Sequence, residues 1–189
     1  MEKKVVYFEK AGRENTDACL QIVKDAIRDY GYKHLVVAST SGDCGILFSE
    51  ALKDSSINLI VVTHSAGFKE PNSDEISAEV RQRIALAGAK VHTGTMITHS
   101  LETAFASKFN GLYPTLIVAQ TLRRFGEGTK VGCEMVMMAA DAGLVPEGEE
   151  IITVAGTGRG ADTVLVIKSA VSKRFFDLKV LEVLAKPRG

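Results

Sequence analysis

Residues 34 to 48 read HLVVASTSGDCGILF. The run from His34 to Ala38 is continuously apolar, the pattern of a strand buried on both faces of a parallel sheet. Ser39-Thr40-Ser41-Gly42 interrupts it, and residues 43 to 53 then resume at helical spacing. A strand hidden on both sides needs helices above and below it, so this stretch points to an α/β fold. Upstream, Val5 to Phe8 is a short β-rich run. A helix follows, with apolar positions Cys19, Ile22, Val23, Ala26, Ile27 and Tyr30. Asn15 or Thr16 can cap its start, and Gly31 suits the left-handed residue that stops it.

Downstream the unit repeats. Leu59 to Thr63 reads as a second buried strand, Ser73 as the cap of a helix ending at Gly88, and a short strand ends near His92. Strand, helix and strand in this order predict right-handed crossovers and a parallel sheet. From about 98 to 143 the pattern is mainly helical, with Pro114 suited to a first helical position and Gly111, Gly126 and Gly143 to helix ends. Ile151 to Ala155 and Thr163 to Lys168 are two further strands around a glycine-rich turn, and Phe176 to Ala185 alternates as a last one. The expected architecture is a three-layer α/β/α domain spanning residues 1–189. Its sheet is mostly parallel with an antiparallel edge strand.

Bulk composition narrows the function. The chain has 189 residues, 46% hydrophobic and 24% charged, so its core is large enough to fold without disulfides or a structural metal. Lysine plus arginine equals aspartate plus glutamate at 23 each, which gives no field favouring nucleic acid or an acidic membrane. Cys19, Cys44 and Cys133 form no CxxC pair and read as small buried hydrophobes. MEKKVVYFEK opens with charges and then a strand, so no signal peptide is expected, and the compartment expected is the cytoplasm. No HxH, HExxH, GxSxG or Walker string is present.

The candidate site is a set of four polar loops. In open parallel sheets a ligand lies outside the carboxyl ends of the strands. Those ends carry Ser39-Thr40-Ser41-Gly42; Thr63 and His64, with Gly67 and Phe68 just beyond; Thr93-Gly94-Thr95; and Gly156-Thr157-Gly158-Arg159-Gly160. Glycine admits close backbone approach, hydroxyls add donors, and a turn leading into a helix places free N–H groups and the positive dipole end together. Such a rim suits a small phosphorylated molecule. The GxGxG string is not a dinucleotide fingerprint, because a strand follows it instead of a helix. Arg159 within it is a fork-shaped anion ligand. Glu134 and Asp141, seven apart on an apolar helix, are a candidate acid–base pair, and Arg123 and Arg124 on the preceding helix are candidate ligand contacts. His64 and His99 lie nearer the cleft than His34 and His92, yet spacing assigns neither a partner.

The runs VVASTSG at 36–42, MAADAG at 138–143, GTGRGADT at 156–163 and FFDLKVLEVLAKPR at 175–188 resemble a known family. They match the stand-alone archaeal and bacterial proteins named for the pyruvate kinase α/β (C-terminal) domain, over essentially the full length. The resemblance implies that domain's sheet and helical layers, and flavin mononucleotide (FMN) as a cofactor, with Phe68 or Met96-Ile97 flanking its ring. It does not imply pyruvate kinase activity, whose TIM barrel takes about 250 residues. A non-catalytic module sensing a sugar phosphate or nucleotide is the alternative expectation, and the apolar 100–142 segment makes a homo-oligomer a further one.

Overall fold

The structure, a computed structural model, describes residues 2–189. Seven strands form one sheet in the order β1-β7-β6-β5-β2-β3-β4. They are β1 (Val6–Phe8), β2 (His34–Ala38), β3 (Asn58–Val62), β4 (Lys90–His92), β5 (Glu150–Ala155), β6 (Thr163–Lys168) and β7 (Lys179–Pro187). The sheet is mostly parallel; the reversed strand is β6, which runs antiparallel to β5 and β7.

Period-two alternation sends successive strand residues to opposite layers. Leu35, Val37, Leu59 and Val61 pack with α1 (Thr16–Tyr30), α2 (Asp43–Leu52) and α3 (Ala78–Leu86). Val36, Ile60, Val62 and Leu165 pack on the other side, under α6 (Glu127–Asp141). The helical segment also contains α4 (Leu101–Phe109) and α5 (Pro114–Arg123), with Pro114 in the first turn of α5 as expected. Three layers result, as the sequence predicts. Among the described residues, no helix is long and apolar enough to cross a membrane.

Two boundaries differ from the sequence expectation. Ser77, not Ser73, caps α3, its Oγ accepting the Val80 N–H at 3.3 Å. Ser73 is held in a preceding turn, where its hydroxyl donates to the Glu70 carbonyl at 2.7 Å. The last strand begins at Lys179 because Ser172–Asp177 coils into 3-10 turns, closed by bonds from Arg174 N–H to Val171 and from Leu178 N–H to Phe175. Both Ser and the Phe-rich segment carried the right local chemistry, and tertiary pairing decided where each element started.

α6 is buried along nearly its whole length because two glycines one turn apart let its backbone lie on the sheet. A Cβ at Gly128 would stand 2.3 Å from Thr163 Oγ1, and one at Gly132 3.0 Å from Thr153 Cγ2. Beneath this contact Thr153 Oγ1 is buried without a hydrogen-bond partner among the described residues. Two opposite shifts in stability follow, both read by denaturant unfolding. Gly128→Ala lowers stability by about 1–3 kcal/mol through overpacking, whereas Thr153→Val raises it by about 1–3 kcal/mol by removing an unsatisfied hydroxyl.

Candidate functional site

β2, β3, β4 and β5 are parallel, so the loops that follow them share one edge. At the head of α2, Ser39 Oγ accepts the Gly45 N–H at 2.9 Å, while the first intrahelical bond runs from Ile46 N–H to the Gly42 carbonyl at 2.8 Å. The N–H groups of Gly42, Asp43 and Cys44 therefore precede the helical ladder. Gly42 sits at φ 99°, where a Cβ would meet Val80 Cγ1 at 2.1 Å. Its role is to let α2 pack against α3.

A cavity of about 430 Å³ opens in front of this helix end, within the roughly 300–1,000 Å³ range of small-molecule sites. Of the residues singled out in the sequence, Ser39, Thr40 and Ser41 line it from the second-strand loop, and Thr63, His64 and Phe68 from the third. Gly156, Gly158, Arg159 and Gly160 line it from the glycine loop. A second cavity of about 310 Å³ shares Asp43, Cys44, Arg159 and Gly160 and adds Arg13.

The other predicted residues stand behind the wall. Thr157 donates its N–H at 3.0 Å to Asp162, a fully buried carboxylate that also accepts from Gly12 N–H at 2.9 Å and the Thr163 hydroxyl at 2.7 Å. Asp162 thus organises the glycine loop from beneath. Gly67 closes a turn with Ser73 at 2.8 Å. Thr93 shares a 2.7 Å hydroxyl bond with Thr63 and receives Arg81, and a Cβ at Gly94 would meet the ring of His92. Thr93-Gly94-Thr95 follows the edge strand β4 and contributes nothing to the cavity surface.

The opposite wall was largely missed by the loop reading. α5 and α6 supply Arg123, Glu127, Lys130, Glu134, Met135 and Met138. Lys130 is 2% exposed; its ammonium lies 2.6 Å from Glu134, whose other oxygen accepts the N–H and hydroxyl of Thr98 at 2.7 Å each. Burial would raise the Glu134 carboxyl, but the Lys130 charge and these donors outweigh it and hold the group below the usual carboxylate range. Arg123 and Glu127 pair at 2.8 Å, and Lys69 with Glu75. Carboxylates therefore stand beside cations across the site, and the i, i+4 spacing of Lys130 and Glu134 was the sequence signal for the deepest of these pairs. Glu134 and Asp141 do not form a carboxylate pair. Asp141 lies at the far end of α6, accepting the Ser172 N–H at 2.8 Å.

His64 gains the partners that spacing could not assign. Its Nδ1 lies 2.6 Å from Glu75 Oε2 and its Nε2 lies 3.3 Å from Thr40 Oγ1. Phe68 packs between two histidines, with ring centroids 4.3 Å from His64 and 5.7 Å from His99.

A sequence profile of the family described as pyruvate kinase, alpha/beta domain matches residues 17–167. The chain belongs to this family. The match takes in α1, the cleft loops and the antiparallel strand β6. Among solved structures, a pyruvate kinase from Cryptosporidium parvum aligns at 16% identity, over 82% of this chain and 23% of that one, with a TM-score of 0.45. Another structure from that organism, pyruvate kinase in complex with ADP, aligns at 15% identity over 90% and 25%, with a TM-score of 0.43. O-ureido-L-serine synthase aligns at 17% identity over 75% and 51%, with a TM-score of 0.33. The chain spans about a quarter of the length of these pyruvate kinases.

The buried pair yields a prediction with a defined sign. Removing one partner leaves a buried charge, so Glu134→Leu destabilises by about 3–5 kcal/mol, while the double variant with Lys130→Met loses less. The folded Glu134 carboxyl is held low, so its contribution is complete above the ordinary carboxyl range and is lost as pH falls through the folded value. Thermal melts from neutral to acidic pH show this decline in the wild type and a flatter profile in the double variant.

Proposed function

We propose that the cleft binds a small phosphorylated ligand and that FMN is the first candidate. The observation that carries this reading is the placement of Arg159 and the head of α2 on one cavity wall. Arg159 enters no ion pair among the described residues, unlike Lys69, Arg123 and Lys130. Its guanidinium, the N–H groups ahead of the α2 ladder and the flanking glycines are donors suited to a doubly charged oxyanion.

The remainder of the cavity suits a flat apolar body. Met96, Met135 and Met138 supply an adaptable apolar surface, and the His64–Phe68 pair an aromatic one. In this reading Arg159, Ser41 and the start of α2 hold the phosphate, and Phe68 with the methionines holds the ring. A bound flavin supplies redox chemistry; the chain's part is to grip its phosphate and shield its ring from water.

Titration of the full chain into FMN, followed by flavin fluorescence, tests the claim. Saturable quenching is expected, with much weaker binding of riboflavin, which lacks the phosphate. Arg159→Ala weakens FMN binding by about 10- to 100-fold, the loss of a hydrogen bond to a charged group worth roughly 1.5–3 kcal/mol. Absence of quenching removes FMN. If inorganic phosphate and phosphorylated metabolites also leave the melting temperature unmoved, phosphate binding goes with it.

A further inference from the structure

The cleft holds an arrangement that ligand binding does not require. Thr40 comes from the loop after β2, and His64 and Glu75 from opposite ends of the connection between β3 and α3, yet hydroxyl, imidazole and carboxylate stand in a line, at 3.3 Å and 2.6 Å. All three line the cavity, with the Glu75 side chain 15% exposed. Burial would raise the Glu75 carboxyl, but hydrogen bonds from Lys69 and His64 prevail and keep it ionised at neutral pH. An ionised acceptor at Nδ1 selects the tautomer that carries its proton there, leaving the Nε2 lone pair facing the Thr40 hydroxyl.

We propose that Thr40 is the nucleophile of an acyl-transfer site acting on carboxylic esters, with His64 as its general base and Glu75 as the positioning residue. The reading shares the cavity and the head of α2 with the phosphate proposal but rests on the geometry of these three side chains. Its topological setting agrees: Thr40 lies in a strand-to-helix turn at the head of α2, where the N–H groups of Gly42, Asp43 and Cys44 precede the helical ladder and are the donors for a developing oxyanion.

The step balances without any redox partner. Nε2 takes the hydroxyl proton as Oγ1 bonds to the ester carbonyl carbon. The tetrahedral oxyanion collapses, the bond to the alcohol oxygen breaks, and His64 returns the proton to that oxygen. Water, deprotonated by Nε2, then attacks the acyl-threonine. The carboxylic acid leaves and the hydroxyl is restored.

The test uses the full chain with a fluorophosphonate probe and p-nitrophenyl acetate. The probe is expected to form one adduct, mapped by peptide mass spectrometry to Thr40. Labelling disappears in Thr40→Val, persists in Thr40→Ser, and slows by about 100-fold or more in His64→Gln. With p-nitrophenyl acetate, Glu75→Gln lowers kcat at unchanged KM, and Glu75→Asp restores part of the loss. His64→Gln, which leaves Thr40 in place, keeps the test decisive should Thr40→Val fail to fold. Wild-type protein without an adduct at Thr40, or labelling at an equal rate in His64→Gln, overturns the proposal.

Discussion

The close seating of α6 on the sheet is the constraint on which the site depends. Gly128 and Gly132 bring the helix backbone against Thr163 and Thr153 with no room for a side chain. Close-packed interiors leave no slack for such a contact to be approximate. Seated this way, α6 closes the second layer with its apolar face. It also turns Lys130 and Glu134 toward the strand ends, where their charges meet Thr98 and the cavity. A helix standing farther off would leave that pair in water, where it would contribute little.

That arrangement explains why the site is electrostatically mixed instead of uniformly basic. Three cations each hold a carboxylate within 4 Å, and Arg159 stands apart on an exposed loop. The buried Lys130–Glu134 pair holds its side chains in place, whereas Arg159, unpaired among the described residues, remains free to meet a ligand. The cavity thus has a rigid helical wall facing a wall of loops, and the imidazole of His64 belongs to the second.

Much of the architecture was legible because the strands at 34–38 and 59–63 have no polar face, which forces two helical layers. The cleft loops were legible because parallel connectivity places strand ends together. Thr93-Gly94-Thr95 has the same composition as its neighbours but follows an edge strand, and position within the sheet is not written in composition. The partners of His64 were hidden for a different reason: Thr40 is 24 residues away and Glu75 is 11, separations that no helical or strand period connects. Lys130 was within reach, since its spacing to Glu134 is that of adjacent helical turns.

Asp162 has a consequence beyond its local bonds. It joins Gly12, ahead of α1, to Thr157 in the glycine loop, and Thr16 reinforces the seam by accepting the Ala161 N–H at 3.0 Å. The backbone at Gly160 presses so near Arg13 that a Cβ would stand 2.5 Å from its Cα. The leading segment is therefore stitched to the rim carrying Arg159, and tension applied to one would be transmitted mechanically to the other.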